Sequence, residues 1–354
     1  MTLHKLAAGS GYTYLTQQVA AHDATERGQL GLAAYYEEKG ESPGRWMGSG
    51  LAGLDLADGD VVTEEQMKLL FGQGWHPRSN EPDAAARRWG ALGRPFPTFG
   101  ATTLRQEIAT AFSAHNTSRG RPWNAPIATE DRAQIRTEVI ARAFARTHGR
   151  APRDDTELTG FVAAASKSAQ TPVAGYDLTF SPVKSVSALW ALAAPEGSRE
   201  VEAAHEAAVR ATIGLLEREV AFTRVGKGGI RQVPVAGLVA AAFDHRDSRA
   251  GDPDLHTHVV ISNKVQTLPN EGGKWLTLDG RMIFKAKVMA SEHYNTRLEA
   301  ELTERLGVRF TERPSPQGRR PVREIEGIDA RLLEEWSSRR GDITSRQRQL
   351  AASQ

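Results

Sequence analysis

Three histidines in the segment FDHRDSRAGDPDLHTHVVISN have the type and spacing of metal ligands. His256 and His258 are two residues apart at the start of an apolar run, which predicts a buried strand with both imidazoles on one face. His245 follows a second apolar run, and the Gly-, Pro- and Asp-rich connection 248–254 predicts a hairpin that brings the third imidazole beside them. Three converging neutral imidazoles are typical of a catalytic metal site with open coordination positions.

The alternative is that the three histidines are solvated side chains on a loop and at a strand end. Their combined spacing favours the metal site. Imidazole ligands accept Zn, Mn, Ni or Co and leave room for Mg, so the predicted cofactor is one divalent ion whose identity is left open.

Four of the six tyrosines lie in two pairs near the N-terminus, Tyr12/Tyr14 and Tyr35/Tyr36. One interpretation is packing, since Tyr12 and Tyr14 are spaced to share one face of a strand. The other is nucleophilic catalysis. A tyrosine phenolate can attack phosphorus and form a covalent intermediate when a divalent ion neutralises the phosphate charge.

Asp177 opens the predicted strand YDLTF. A carboxylate there could accept a proton, bind a histidine as a hydrogen-bond acceptor, or end a turn. Asp244 and Asp247, which flank His245, compete for the histidine-binding role.

Residues that could bind a phosphate group are scattered along the chain. Lys184 with Ser181, Ser185 and Ser187 lies at a helix start that could bind a phosphate, with ordinary N-capping as the alternative. Tryptophans could stack on bases or pack in the core. The candidate phosphate- or nucleic-acid-contacting residues are Lys184, Ser185, Arg249 and Lys274, and the tryptophans considered for stacking are Trp46, Trp75 and Trp275.

Composition describes an ordinary globular protein that can bury a full core, with 354 residues, 40% hydrophobic and 25% charged. The absence of cysteine excludes disulfides and thiolate ligands and fits a cytoplasmic protein. We find no membrane-spanning run and no signal-peptide pattern. The net charge of +2 means that any basic DNA-binding surface must be local.

Along the sequence, helical and strand patterns are grouped into separate blocks about as often as they alternate. Thr63–Leu70 reads as a capped helix, residues 103–148 are helical in pattern, EVEAAHEAAVRATIGLLEREV is an amphipathic helix, and 283–306 predicts one long helix. The hairpin-linked strands between them favour an α+β fold with an antiparallel sheet.

Together these motifs resemble one family. GYDLTFSPVKSVS at 175–187, the H-x10-H-T-H set at 245–258 and the tyrosine pairs are similar to the relaxase domain of MobF-type conjugative relaxases, the TrwC/TraI group of the HUH endonucleases. The similarity runs from Tyr12 to Ile328. The sequence differs from the family pattern in that Thr13 separates Tyr12 from Tyr14.

The resemblance implies a central antiparallel β-sheet with helices on both faces. It implies a single relaxase domain over 1–354, with 103–170 as a helical insertion and 283–354 as a helical C-terminal segment that closes over DNA. Full-length relatives carry a helicase region, whereas this sequence has no GxxxxGK[ST] motif, so we expect either a truncated or a shorter protein.

The resemblance also implies site- and strand-specific nicking at a plasmid origin of transfer, through a covalent 5′-phosphotyrosyl intermediate that initiates conjugation. Its implied partners are single-stranded and hairpin origin DNA, relaxosome accessory proteins and a coupling protein. The implied roles are metal binding by His245, His256 and His258, proton acceptance or histidine orientation by Asp177, first attack by Tyr14 or alternatively Tyr12, and a second transesterification by Tyr35 or Tyr36.

Three other functions compete with this one. A rolling-circle replication initiator or transposase of the HUH superfamily would use the same chemistry on other DNA. A non-catalytic DNA-binding module would keep the fold without needing the tyrosines. A three-histidine metallohydrolase would use water as its nucleophile and would never become linked to DNA.

Overall fold

The computed structural model describes residues 1–17, 43–96, 100–122, 125–166, 172–248, 251–313 and 321–338. The chain forms two compact units. One comprises Met1–Phe96 with Val173–Gln354, and the other is Pro97–Pro172. The sequence analysis treats 1–354 as one domain, and that assignment stays a prediction.

The first unit is built on a five-stranded sheet in the order β1-β3-β7-β6-β2. Every neighbouring pair in it is antiparallel. The predicted α+β fold with a central antiparallel sheet is therefore confirmed. The sheet strands are β1 (Thr2–Ala7), β2 (Arg45–Met47), β3 (Val173–Phe180), β6 (Ala240–Asp247) and β7 (Pro253–Ser262).

Shorter strands form three two-stranded sheets, which pair β4 with β5, β8 with β9 and β10 with β11. Their bounds are β4 (Phe222–Val225), β5 (Arg231–Pro234), β8 (Lys264–Gln266), β9 (Trp275–Thr277), β10 (Phe310–Arg313) and β11 (Val322–Ile325).

Helices occur in both units. In the first unit they are α1 (Thr13–Gln17), α2 (Glu64–Met67), α6 (Lys184–Leu192), α7 (Pro195–Val220), α8 (Gly280–Lys285), α9 (Lys287–Leu306) and α10 (Ala330–Glu335). In the second they are α3 (Gly100–Ser118), α4 (Thr129–His148) and α5 (Asp155–Ser166). None of the described helices is long and apolar enough to cross a membrane.

Each face of the central sheet is covered by a separate apolar core. On one face, which we call the back face, Val259 and Ile261 of β7 pack with residues of α7 and α9 such as Val209 and Tyr294. On the other, the front face, Val260 packs with residues that include α1 and α2 side chains. Because side chains alternate along a strand, consecutive residues of β7 contribute to opposite cores.

The long helices are amphipathic. Buried positions of α9 recur every four residues, at Ala290, Tyr294, Leu298 and Leu302, which places them on one stripe. The single helix predicted over 283–306 is wrong, because the chain turns at Ala286 and forms α8 and α9 instead. The turn keeps the apolar side chains of both helices in the same core.

The predicted helix after Thr63 is present and begins with a capping box. The Thr63 side chain accepts from the Gln66 backbone, and the Gln66 side chain accepts from the Thr63 backbone. The same Gln66 oxygen also accepts from the indole N–H of the buried Trp46 at 3.0 Å. The cap therefore ties α2 to the core of the front face.

We expect Thr63→Ala to lower the free energy of unfolding by about 1 kcal/mol, because the backbone N–H of Gln66 loses its side-chain acceptor. Thr63→Ser is the control, since its hydroxyl keeps the cap. Urea denaturation followed by tryptophan fluorescence gives both values, and equal losses in the two variants would contradict the assignment.

The second unit contains α3, α4 and α5 around a small core of its own, which includes Leu104, Val139, Ile140 and Ala143. It includes the segment 103–170. The interpretation of that segment as an insertion stays a prediction.

The C-terminal part of the chain is not purely helical. After α9 it forms the hairpin β10–β11 and then the short helix α10, and residues 339–354 lie outside the described part. The predicted closing of 283–354 over DNA stays a prediction.

Candidate metal and tyrosine site

The structure brings the three histidines together at one end of the paired strands β6 and β7. His245 lies directly opposite His256 in the register, and His258 lies opposite Phe243. The imidazole centroids are 5.2 Å apart for His245 and His256, and 5.4 Å apart for each of the other two pairs. Because the strand alternates, His256 and His258 share the front face with Val260.

The electrostatics of the cluster suit metal ligands. Burial, reinforced by the two neighbouring histidines, lowers the pKa of His245 to about 3. Burial also lowers the pKa of His256. Neutral imidazoles keep a free nitrogen lone pair, which is the form that binds a metal.

Hydrogen bonds orient two of the rings. His256 donates from Nδ1 to the backbone oxygen of Asp254 at 2.7 Å, and His258 donates from Nδ1 to both carboxylate oxygens of Asp177 at 3.0 Å. Such partners fix the tautomer and leave Nε2 for a metal.

The donor set fits one divalent ion. Since metal–imidazole bonds are about 2.0–2.1 Å long, three rings around one ion have centroids roughly 5 Å apart, close to the spacing here. Among the described residues no three possible ligands have their donor atoms arranged around one ion. The rings of His245 and His256 are nearly stacked, at 28° from parallel. Side-chain rotation, with the strands unchanged, would have to aim the nitrogens at a common point.

Tyr14 is adjacent to this cluster. It lies in α1, its hydroxyl donates to Asp177, and its ring centroid is 6.1 Å from that of His258. Burial, together with the charge of Asp177, raises the pKa of Tyr14 well above its ordinary value. The phenol is thus protonated at rest and already bonded to a proton acceptor.

Asp177 is 3% exposed and lies inside β3. It accepts hydrogen bonds from Tyr14 and His258, so the alternative in which it ends a turn is wrong. Its hydrogen bonds place it beside the tyrosine and beside a histidine, and its roles as proton acceptor and histidine-orienting residue stay predictions.

Tyr12 is placed differently. Its side chain is 6% exposed and packs in the front-face core with Leu15. The two tyrosines do not share a strand face, because the chain turns into α1 at Thr13. Of the two candidates, the position of Tyr14 favours it as the attacking residue.

Some predicted residues cannot be placed. Tyr35, Tyr36 and Arg249 lie outside the described residues. Their predicted roles stay predictions.

The predicted DNA contacts receive uneven support. Ser185 is fully buried, where its hydroxyl accepts from the backbone of Ile325 at 2.8 Å, so the prediction that it contacts DNA is wrong for this conformation. The cause is the strand β11, which docks beside the start of α6. Lys184 donates to the backbone oxygen of Pro253 at 2.5 Å, and Lys274 is exposed.

The tryptophans also differ from one another. Trp46 is fully buried, whereas Trp75 is 38% exposed and Trp275 is half-buried. Stacking on a base is thus excluded for Trp46 in this conformation.

Asp244, a competitor for the role of orienting a histidine, lies on the back face. It accepts from the Thr257 hydroxyl at 2.5 Å and pairs with Arg45. Sequence reasoning missed the partner behind them, His205, which bonds Thr257 at 2.8 Å. The available signal was a histidine on the apolar stripe of α7.

Burial lowers the pKa of His205 to about 4. The folded protein then binds fewer protons than the unfolded chain between pH 4 and about 6.5. The stabilisation of the folded state that this pKa difference provides is therefore fully present above pH 6.5 and is lost as the pH falls towards 4. Over this pH window we expect the free energy of unfolding to fall by about 3 kcal/mol more in wild type than in His205→Gln, because glutamine does not titrate.

Urea denaturation of both proteins at several pH values measures the difference. The other buried histidines contribute equally to both proteins and cancel. Parallel pH profiles would show that folding leaves the pKa of His205 unchanged, which would contradict the prediction.

Comparison with known proteins identifies the family. A family model described as TrwC relaxase matches residues 8–354. The chain belongs to the TrwC relaxase family.

Curated relatives of this TrwC-family chain include the multifunctional conjugation protein TraI of Escherichia coli. One TraI sequence is 40% identical over 122 residues, which is 33% of this chain and 6% of TraI. TraI of strain K12 is 37% identical over 122 residues, or 34% of this chain and 6% of that protein. The matched region is thus a small part of those relatives.

Solved structures with the same fold include conjugative relaxase TrwC in complex with oriT DNA. Its copper-bound form is 23% identical with a TM-score of 0.54, and the alignment covers 97% of this chain and 82% of that one. TrwC with a 27-mer DNA comprising the recognition hairpin and the cleavage site gives a TM-score of 0.52 at 22% identity, over 97% and 81% of the two chains. These similarities support the fold.

Proposed function

We propose that this protein nicks one DNA strand at an origin of transfer, with Tyr14 as the nucleophile. The observation that carries the proposal is the hydrogen-bonded series of Tyr14, Asp177 and His258 at the edge of the three-histidine cluster. The proposed nucleophile is hydrogen-bonded to the proposed proton acceptor, which in turn is hydrogen-bonded to a proposed metal ligand, and this arrangement suits covalent phosphoryl transfer.

The proposed reaction starts with transfer of the Tyr14 hydroxyl proton to the carboxylate of Asp177. The phenolate oxygen forms a bond to the scissile phosphorus, and the bond from phosphorus to the 3′ oxygen breaks. The 3′ oxygen takes up a proton and leaves as a 3′-hydroxyl, while the 5′ side stays on Tyr14 as a phosphotyrosine. Attack in the reverse direction by the 3′-hydroxyl restores both groups.

His245, His256 and His258 would hold the divalent ion. When bound, the ion would neutralise charge on the non-bridging phosphate oxygens and position the phosphate. Asp177 has a second task here, because its bond to Nδ1 of His258 keeps Nε2 of that ring available.

The remaining elements of the proposal come from family membership and from the DNA-bound relatives. Single-stranded and hairpin origin DNA are the proposed substrates, with Lys184, Lys274 and Arg249 as phosphate contacts. Relaxosome accessory proteins and a coupling protein are the proposed partners, and the cytoplasm is the proposed location. Tyr35 or Tyr36 would carry out the second transesterification.

A denaturing gel tests the proposal. The protein is incubated with a labelled single-stranded oligonucleotide from the cognate origin and Mg²⁺ or Mn²⁺, and a covalent protein–DNA band is expected together with a product ending in a 3′-hydroxyl. Cleavage without a covalent band would support a metallohydrolase. DNA binding without cleavage would support a non-catalytic module, and cleavage restricted to a replication origin would support an initiator.

A further inference from the structure

Behind the metal-site strands lies a buried series of hydrogen bonds on the back face of the sheet. The hydroxyl of Tyr294 is 2.8 Å from Nδ1 of His205, and Nε2 of His205 is 2.8 Å from the hydroxyl of Thr257. The Thr257 hydroxyl donates to Asp244 at 2.5 Å. We call this set the back-face network: Tyr294, His205, Thr257 and Asp244.

The direction of every bond in the back-face network follows from proton counting. Asp244 pairs with Arg45 and offers only acceptor oxygens, so Thr257 must give it its single hydroxyl proton. Thr257 then accepts from Nε2–H of His205. Nδ1 of the same ring carries a lone pair and accepts from the Tyr294 hydroxyl. One tautomer and one bond direction satisfy all four groups.

The position of the back-face network relates it to the metal ligands. Thr257 lies between His256 and His258 in β7, and its side chain occupies the opposite face. Thr257 and Asp244 are also register partners, next to the pair of His245 and His256. The register shifts immediately beyond His245, so this side-chain bond lies one register pair before the end of the regular strand pairing.

Three of the four members of the back-face network are buried, and Asp244 is partly exposed. His205 is 3% exposed, Thr257 1% and Tyr294 0%. A buried group that loses its partner is costly, so the strands cannot slide without breaking several bonds at once.

We propose that the back-face network is a positioning device that holds β6 and β7 in the register that keeps His245, His256 and His258 side by side on the front face, from which they can bind the divalent ion. This inference rests on the proposed metal site. The network acts through the strands and touches neither DNA nor the reacting atoms.

Mn²⁺ binding to the whole chain, measured by electron paramagnetic resonance in the absence of DNA, tests the inference. Thr257→Val removes the hydroxyl and keeps the shape, and we expect it to weaken Mn²⁺ binding about 10-fold, as for outer partners of metal ligands. Thr257→Ser restores the hydroxyl and should bring the affinity back to within about 2-fold of wild type.

Thr212→Val is the matched control. Thr212 is also a fully buried threonine, its hydroxyl donates to the Ala208 backbone at 2.8 Å and contacts His293, and it lies outside the back-face network. We expect its valine variant to lose stability and to keep the wild-type affinity for Mn²⁺. Equal weakening in Thr212→Val and Thr257→Val would overturn the inference, because stability alone would then explain the effect.

Amide hydrogen exchange of the metal-free proteins supplies a second readout, with faster exchange expected along β6 in Thr257→Val.

If Thr257→Val does not fold, Tyr294→Phe removes a single hydroxyl of the network and should weaken Mn²⁺ binding by a few fold. Failure of wild type to bind Mn²⁺ would refute the proposed metal site. Wild-type binding with unchanged affinity in the network variants would refute the positioning role alone.

Discussion

Tyr14→Phe is expected to abolish the covalent protein–DNA band and to lower the cleavage rate by at least about 10³-fold, since phenylalanine has no hydroxyl to attack the phosphorus. The ring and its packing are kept, so the fold and DNA binding should be unchanged. Single-turnover cleavage of a labelled origin oligonucleotide measures the rate, and fluorescence anisotropy measures the binding.

Tyr12→Phe is the matched control for that result. Tyr12 is buried in the front-face core, and its aromatic ring does the packing there. We expect the covalent band to persist at wild-type intensity. A band that survives in Tyr14→Phe and disappears in Tyr12→Phe would reverse the assignment of the two tyrosines.

Asp177→Asn is expected to slow single-turnover cleavage by about 10²–10⁴-fold, because an amide cannot take the Tyr14 proton. The amide is similar in size to the carboxylate, which limits the change in packing.

Asp279→Asn controls for removal of a buried carboxylate. Asp279 is 7% exposed and pairs with Arg224, outside the three-histidine cluster. Its asparagine variant is expected to be less stable and to cleave at the wild-type rate. Comparable slowing in the two variants would mean that Asp177 contributes stability and not proton transfer.

Local sequence patterns were sufficient to predict several structural elements. The capped helix after Thr63 was predicted from residues a few positions apart, and the structure contains its capping box. The antiparallel arrangement of β6 and β7 followed from two apolar runs and a short turn-rich connection. In each case the interactions that decide the structure are close in sequence.

Other features depended on contacts that no local pattern contains. Ser185 was predicted to face DNA, yet a strand 140 residues away buries it. The break at Ala286 was missed, because the helical pattern continues through it while the core sets the direction of each helix. His205 was missed because its polar partners come from β7 and α9.

The sequence by itself determined the types of the proposed ligands, the common face of His256 and His258 and the hairpin that adds His245, because strand alternation and turn chemistry are local properties. Only the tertiary structure decided which tyrosine meets Asp177. Tyr14 and Asp177 are 163 residues apart, and their hydrogen bond depends on the turn into α1 and on the pairing of β1 with β3. The same long-range packing placed a buried network behind the metal ligands, since α7 and α9 must cover that face of the sheet.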